Sequence, residues 1–582
     1  MKKLRLFSLI VACAISFPTL IAASAHYVSP TGKASWAQST AITSPCSTAV
    51  AFANAVAGDT TYFRAGTYRT PKRNTGTSAN YTSYDGYYNP VNSGNPGNPI
   101  VFMAYPGELP LFTGLAGGTA DETSGSVNVY ATIFGTKNHS YLTFDGFSLQ
   151  SDTGKKMARM VIGIDHSDAT TWQGHVTVKN CLFNGGSIKN NSDDNNEGLR
   201  IEGNNWITVS NCKFTQYNNS TQDHNTGGIK MYWDTSCTID NCEFDSSTVG
   251  CYVKEANPKT TVSNCFFNGS YIDFFMGAGI PPSLTDSLIF KNNIVINSSY
   301  FGFYWEGAGT DSGATSNDFQ IYNNTFYGNY INVHFGFVIP GHGPIFYNNI
   351  IYGNSNTTYN LATDDYSKGW ESHLKQLDHN QWGTPWKTIW IGENVRNLFY
   401  TSLASWKSCG KLDSAYNADC GSNTNPGCGD SASNPLFVNS SGKFNQFSDF
   451  ALAPNSPCKG TGRDGANMGA NTSSIVLFGH STTAINNESS TTCISPNGLN
   501  ITLSAEKIST RKIEFSIHLK TAGNYRITVF DISGREVWKQ NANSNTLFQK
   551  IIWNNERIAS GTYFVSLNQN NQRKIQEFEI TR

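Results

Sequence analysis

Basic residues recur at matching positions in three neighbouring segments of the sequence. Lys230 and Tyr232 alternate with apolar residues, Arg200 lies in the preceding segment and Lys254 in the following one. Because the side chains of a β-strand alternate between its two faces, this pattern directs the four polar side chains away from an apolar interior. Clustered cations suit the removal of a proton beside a carboxylate, since they neutralise the carboxylate and lower the pKa of a neighbouring basic group.

The chemistry of each side chain favours a role in such an elimination. Lys230, flanked by the other two cations, suits the base, and Arg200 suits carboxylate binding because its planar fork reaches both oxygens. Lys254 completes the cationic group, and Tyr232 or Tyr252 suits the donor of a proton to the leaving oxygen. The substrate of this reaction would be a polymer of uronic acids. The alternative is that lysines on an exposed sheet are solvated groups that prevent aggregation.

An acidic segment just before Arg200 supplies hard oxygen ligands. Carboxylates of this kind predict a Ca²⁺ site, and the set consists of Asp193, Asp194, Glu197 and Glu202. The same segment also fits a plain polar turn. Other residues of the same predicted face are expected to bind substrate, namely Tyr252, Asp273, Glu306 and His334. The remaining outward positions are Asp165, Phe275, Tyr304 and Asn332.

A repeated phrase indicates the elements that position these residues. The phrase is Asn-Cys-x-Phe or a variant of it, and its asparagines are Asn180, Asn211, Asn241, Asn264, Asn292, Asn323 and Asn348. They follow one another at 31, 30, 23, 28, 31 and 25 residues, a period typical of a β-solenoid. We expect the asparagine at a left-handed turn, with the next residue and the following Phe pointing inward. The inward cysteines would be stacked thiols or disulfides between coils.

The phrases at both ends of this region resemble the pectate-lyase-like superfamily. They are the opening phrases His26 to Gly32, Gly58 to Tyr68 and Asn98 to Gly107, and the closing phrases Asn434 to Asn439 and Asp449 to Cys458. The resemblance implies an all-β fold, a right-handed parallel β-helix over residues 26–470. It also implies a polysaccharide lyase. A helical pattern from Cys46 to Val56 would cover the open end of the solenoid. Residues 354–407, rich in Trp, are interpreted as an insertion that packs on the solenoid or stacks on sugars.

The tail differs from the rest of the chain. Residues 471–497, rich in Ser, Thr and Asn, predict a linker, and residues 498–582 predict a small β-sandwich. The phrases Tyr525 to Trp538 and Ala559 to Leu567 resemble the C-terminal sorting domain of the type IX secretion system. That resemblance implies the secretion machinery as a partner. The alternative is an accessory carbohydrate-binding or Ig-like module.

Charge and the N-terminus indicate where the protein acts. Residues 1–25 have the basic start, apolar stretch and small-residue end of a signal peptide, so we expect a secreted or surface-attached protein. Without this segment and the basic tail, the body has a net charge of −9 within a total of −1. An acidic body argues against nucleic acid as partner. We expect a monomer that binds an acidic polysaccharide.

Two other functions fit the same fold. A glycoside hydrolase would use paired carboxylates from Glu202, Asp273, Glu306 and Asp165. A non-catalytic adhesin or sugar-binding scaffold would use the aromatic residues instead. A lyase loses turnover with Lys230→Ala, a hydrolase loses it with Glu202→Gln or Asp273→Asn, and an adhesin has none to lose.

Overall fold

The repeated region folds into coils, each of which contributes one strand to three long sheets. The computed structural model describes residues 24–70, 86–115, 130–151, 157–163, 173–186, 189–190, 196–219, 225–254, 259–277, 288–307, 319–337, 344–366, 376–393, 396–408, 429–439, 443–478, 500–501, 506–509, 512–518, 523–531, 536–546, 548–554, 561–569 and 572–580. Within these residues, no helix is long and apolar enough to cross a membrane. The three sheets enclose one apolar core. This arrangement is the parallel β-helix expected from the repeat.

Sheet 1 has twelve parallel strands. They are Ala25–Val28, Thr60–Phe63, Ile100–Ala104, Leu142–Asp145, Val176–Lys179, Thr208–Ser210, Thr238–Asp240, Thr261–Ser263, Ile289–Lys291, Gln320–Tyr322, Ile345–Tyr347 and Gln376–Asp378. Sheet 2 has ten parallel strands. They are Gly66–Thr70, Pro110–Leu115, Ser148–Gln150, Leu182–Asn184, Lys213–Thr215, Glu243–Asp245, Phe266–Asn268, Ile294–Ile296, Thr325–Tyr327 and Ile350–Tyr352.

Sheet 3 carries the candidate site and has eleven strands. They are Tyr130–Gly135, Met157–Gly163, Asn196–Glu202, Thr226–Tyr232, Val249–Lys254, Ile272–Met276, Phe301–Gly307, Ile331–Phe337, Tyr359–Tyr366, Thr388–Glu393 and the antiparallel edge strand Arg396–Tyr400. Two short strand pairs, Gln173–Gly174 with Asn204–Asn205 and Lys189–Asn190 with Asn218–Asn219, lie at the turns. Strands in register stack equivalent residues of successive coils into columns.

The repeated asparagines adopt the predicted left-handed conformation. All seven have φ between 50° and 55°, which places each at the turn between sheet 1 and sheet 2. The residue that follows each turn asparagine points inward. It is a cysteine in the earlier coils and an asparagine in the later coils. The four cysteines, Cys181, Cys212, Cys242 and Cys265, are buried free thiols rather than disulfides. The four asparagines, Asn293, Asn324, Asn349 and Asn380, form an interior ladder in which each backbone N–H of the first three donates to the amide oxygen of the next member.

Both ends of the helix are closed. At the start, the α-helix Thr48–Asn54 is capped by the Ser47 side chain, and its Phe52 ring stacks on Phe102 at 4.2 Å, so the predicted covering helix is present. Short 3-10 helices lie at Ala37–Thr40, Phe447–Phe450, Arg463–Gly465 and Thr472–Ser474. At the far end, the α-helix Leu403–Lys407 places Trp406 edge-on against Trp382, and both indoles are fully buried.

Two predicted boundaries change. The supposed insertion 354–407 contributes regular strands to sheets 1 and 3, so most of it is a continuation of the coils. The supposed linker from residue 471 begins inside the β-helix domain. Ile475 and Leu477 are buried against the outer face of sheet 2, and the backbone N–H of Val476 donates to the Asn241 side chain.

The tail forms two antiparallel four-stranded sheets. One contains Asn500–Ile501, Glu506–Ser509, Lys512–His518 and Phe548–Asn554, and the other Gly523–Asp531, Glu536–Ser544, Gly561–Gln569 and Gln572–Ile580. Residues from both sheets, such as Phe515, Trp553, Val529 and Val565, share one apolar core. This is the predicted small β-sandwich.

Candidate functional site

Two columns of outward residues on sheet 3 contain most of the predicted site. The first column, read coil by coil, is Arg200, Lys230, Tyr252, Phe275, Tyr304 and His334. The second column is Glu202, Tyr232 and Lys254. The residues between the columns, such as Leu199 and Ile229, point into the core. The alternation inferred from the sequence is therefore confirmed for these three coils.

Three cations surround the ring of Tyr232. The guanidinium carbon of Arg200 lies 4.6 Å from the ring centroid, Lys230 Nζ lies 5.4 Å away and Lys254 Nζ 5.5 Å away. The Tyr252 ring faces the same two amines, at 5.1 Å from Lys230 and 5.9 Å from Lys254. These distances are within the range of cation–π attraction. We call these five residues the basic cluster.

Lys230 is not a solvated edge lysine. Only 1% of it is exposed, and its Nζ donates to the side-chain oxygen of Asn225 at 2.5 Å. Burial of an ammonium group is costly unless other groups compensate for the lost water, which is why lysines are rarely buried without a purpose. Lys254, in contrast, is half-buried and is the more accessible amine of the cluster.

Arg200 is held by carboxylates on its own strand. Its Nε and Nη2 bind Glu202 Oε2 at 2.7 and 2.6 Å, and its Nη1 lies 3.6 Å from Glu197 Oε1. Glu197 also binds Arg159 at 2.9 Å, and both partners of that pair are fully buried. Sequence reasoning missed Arg159, since nothing in the order of residues shows that its strand lies beside that of Glu197. The predicted role of Arg200 as a free carboxylate fork does not fit these bonds.

Asp234 is a second residue that sequence reasoning missed. Its carboxyl oxygens accept hydrogen bonds from the backbone N–H groups of Asn204 and Tyr232, so it fixes the backbone at the end of the Tyr232 strand. Burial raises the pKa of this carboxyl well above its usual range. Its position directly after a Tyr-Trp pair at a strand end is the only sequence signal for such a role.

The predicted calcium ligands do not form one open oxygen site. Glu197 and Glu202 are engaged by arginines, whereas Asp193 and Asp194 lie outside the described residues. Among the residues that the structure describes, no three His, Cys, Asp or Glu side chains come together as metal ligands. The two described carboxylates therefore do not fit the predicted Ca²⁺ site, and the ion stays a prediction.

Asp273 was predicted to face outward, and the structure contradicts this. It is fully buried, its Oδ1 accepts the backbone N–H of Ser270, and burial raises its pKa well above the usual range. The strict alternation fails because the chain bends where sheet 2 passes into sheet 3, so that Asp273 and Phe274 both face inward. Asn332 is also buried there, bonded to Asn329 and Asn360.

The remaining predicted residues lie farther along the face. Tyr252 stacks on Phe275 at 4.2 Å, and Phe275 on Tyr304 at 4.8 Å, so an aromatic stack continues the first column. His334 packs edge-on against Tyr304, and burial lowers its pKa to about 4. Glu306 is exposed at the end of its strand. Asp165 lies outside the described residues.

Comparison with known proteins supports both parts of the architecture. A family profile described as "Right handed beta helix region" matches residues 197–368, and one described as "Secretion system C-terminal sorting domain" matches residues 510–581. No curated protein matches the chain. The chain is thus a right-handed parallel β-helix protein with a C-terminal sorting domain. Such a domain marks proteins that the type IX secretion system exports to the cell surface or beyond, and this protein is exported by that route.

Solved structures resemble the chain at low identity. Pectate lyase Pel9A is 17% identical with a TM-score of 0.45, over 77% of this chain and 96% of its own. The A-module of the mannuronan C-5 epimerase AlgE4 of Azotobacter vinelandii is 11% identical with a TM-score of 0.32, over 58% and 86%. A mannuronic acid specific polysaccharide family 6 lyase from human gut microbiota is 9% identical with a TM-score of 0.30, over 64% and 82%.

Proposed function

We propose that the protein is a polysaccharide lyase that cleaves a uronate polymer by β-elimination. The observation that carries this proposal is the basic cluster, in which three cations surround one tyrosine ring on the outer face of sheet 3. The surrounding body is acidic, so this is a local concentration of positive charge on a negative molecule. Such a patch suits an anionic ligand, and tyrosine and lysine supply groups that transfer protons.

The elimination needs a base, a charge partner for the uronate carboxylate and an acid. Lys230 acts as the neutral amine and takes the proton from the carbon beside the carboxylate, and the electron pair left behind forms a double bond to the neighbouring carbon. The bond from that carbon to the glycosidic oxygen breaks, and the hydroxyl of Tyr232 or Tyr252 protonates the departing oxygen. Because Arg200 is held by Glu202, Lys254 is the cation that binds the carboxylate, while Arg200 orients the Tyr232 ring.

The carboxylates are less well placed for a hydrolase. Glu202 is bound to Arg200, Asp273 lies inside the core, and Glu306 is exposed two coils beyond Lys254. A hydrolase requires two carboxylates that face one glycosidic bond from opposite sides. Among the described residues of this face, these three do not provide such a pair, so the geometry favours the lyase.

The proposal is tested with Lys230→Gln and a matched control. Lys213→Gln also removes a lysine amine from an outer face, but on sheet 2, where Lys213 binds Glu243 at 2.7 Å. Each mature protein is incubated with polygalacturonate, alginate and neutral glycans, and both the ultraviolet absorbance of unsaturated ends and total reducing ends are followed. We expect unsaturated ends from a uronate polymer, and a loss of about 10²- to 10⁴-fold in Lys230→Gln alone.

Each alternative function predicts a different result in this assay. Reducing ends without absorbance would identify a hydrolase, and binding without either signal would identify a sugar-binding scaffold. Equal rates in Lys230→Gln and the wild-type protein would refute the assigned base. The same assay after dialysis against EGTA tests the predicted Ca²⁺. Loss of turnover that Ca²⁺ restores would support the ion, whereas full turnover would leave charge neutralisation to the cations of the basic cluster.

A further inference from the structure

Three aromatic rings stack at the turn that leads into sheet 1. Tyr141, His175 and Trp206 occupy equivalent positions in successive coils, each with a left-handed backbone of φ 57°, 56° and 52°. The Tyr141 and His175 ring centroids lie 4.5 Å apart, and those of His175 and Trp206 lie 4.6 Å apart, with the planes within 16°. The stack therefore repeats at the spacing of the coils.

The stack ends abruptly at Trp206. The register of sheet 1 places Ser236 at the equivalent position of the next coil and Lys259 in the coil after that. Both keep the left-handed backbone, with φ of 56° and 59°, so the turn itself continues while the rings do not. Trp206 is 52% exposed, although it is the largest apolar side chain of the column. Within this column, the small residue Ser236 therefore separates Trp206 from Lys259, and we call the space left by the missing ring the gap.

We propose that this gap is a binding subsite for one uronate unit of a polysaccharide, stacked on Trp206 with its carboxylate paired to Lys259. Two strand spacings separate the backbones of Trp206 and Lys259, which is about 10 Å. A sugar ring in van der Waals contact on both faces needs about 4 Å on each side, so one ring fits between them. The hydroxyl of Ser236 forms the floor of the gap and is a hydrogen-bonding partner for the sugar.

The subsite adjoins the basic cluster along the chain. Ser236 follows Tyr232 by four residues in the same coil, a span of at most about 14 Å. Trp206 similarly follows Glu202 in the preceding coil. A polymer that places one unit at the basic cluster can therefore place another, a few units away, on Trp206. This inference rests on the proposed function, because it takes the ligand to be the same uronate polymer.

Binding is the appropriate measurement, because it separates the subsite from the chemistry. Calorimetric titration with oligogalacturonates and oligomannuronates compares the wild-type protein with Trp206→Asn, since asparagine tolerates the left-handed backbone. We expect the dissociation constant to rise about tenfold, as for the loss of one stacked aromatic contact. Tyr330→Ala is the matched control, because Tyr330 is also an exposed ring, 42% exposed, but lies at the opposite turn of sheet 3.

A second variant fills the gap. Ser236→Trp continues the stack onto the exposed indole face without removing any contact of Trp206, so the fold is kept and the subsite is closed. We expect the same rise of the dissociation constant as in Trp206→Asn. Wild-type binding that both variants retain would overturn the subsite alone. No binding of either oligosaccharide by the wild-type protein would overturn the proposed function and the subsite together.

Discussion

Replacing Asn324 by leucine should open the β-helix locally, because this buried asparagine joins three coils. Its Oδ1 accepts the backbone N–H of Asn293 at 2.9 Å, and its Nδ2 donates to the carbonyl oxygens of Phe290 and Tyr322 at 2.9 and 3.0 Å. Its Nδ2 also donates to Asn349 Oδ1 at 3.0 Å. Leucine has a similar size but makes none of these bonds.

The loss of local stability in Asn324→Leu can be calculated from the groups that lose their hydrogen-bonding partners. The backbone N–H of Asn293 becomes a buried donor without an acceptor, which costs about 2 kcal/mol. The two N–H groups of the lost amide, which are shared among these three acceptors, and the bond that its Oδ1 accepts from Asn293 Nδ2 at 3.2 Å contribute about 1 kcal/mol each. The buried leucine returns about 2 kcal/mol through its apolar surface. We therefore expect the local free energy of opening to fall by about 3 kcal/mol, which is about a hundredfold in the opening equilibrium.

Hydrogen exchange measured by mass spectrometry detects this change, because exchange of buried amides reports local opening in a repeat protein. The amides of the strands Ile289–Lys291 and Gln320–Tyr322 should exchange about a hundredfold faster. Asn323→Gly is the matched control, since Asn323 is half-buried at φ 55° and glycine adopts that conformation freely. Equal protection in Asn324→Leu and in the control would refute the reasoning.

Two further predictions concern buried titratable groups. Because burial lowers the pKa of His334 to about 4 from 6.5, the unfolded chain binds a proton between these values that the folded protein does not. Stability should therefore fall as the pH drops from 6.5 to 4, by about 3 kcal/mol, and a His334→Phe variant should lose that part of the pH dependence in denaturant titrations. The four inward cysteines, buried as free thiols, should resist iodoacetamide in the native protein and react in denaturant, as peptide mass spectrometry would show. Modification under native conditions would contradict their placement.

The turns and the core columns could be predicted because one phrase fixes both. In this phrase, an asparagine that tolerates a left-handed backbone comes directly before a small inward residue. A phenylalanine lies two positions after that small residue, at the next inward site. Phe183, Phe214, Phe244 and Phe267 accordingly stack at 4.6 to 5.3 Å. Since this phrase recurs at each turn, the period of the coils and the direction of each side chain near the turn follow from it.

The predictions from sequence are wrong or incomplete where a strand departs from regular alternation, or where the partner of a side chain comes from another coil. Asp273 shares its column with Gly228, Gly250 and Gly302, and a Cβ added at those glycines would meet backbone oxygen of the next coil within 2.7 Å. This crowded column marks the bend, and recurrent glycine at that position was its sequence signal. The ion pair of Arg159 with Glu197 had no such signal, because 38 residues separate the partners.

The basic cluster is not a requirement of the fold. Two coils after Lys230, the same column holds Phe275, which is fully buried and stacked between two tyrosines, so an apolar ring fits this position of sheet 3. Buried charges are seldom more stabilising than apolar residues of similar size, because removing them from water costs several kcal/mol for each ion. Arg200 and Lys230 therefore occupy positions where the fold alone favours aromatic residues. The anionic ligand proposed above would account for these two cations at neighbouring coils, and the pairs with Glu197 and Glu202 would hold Arg200 in place before that ligand binds.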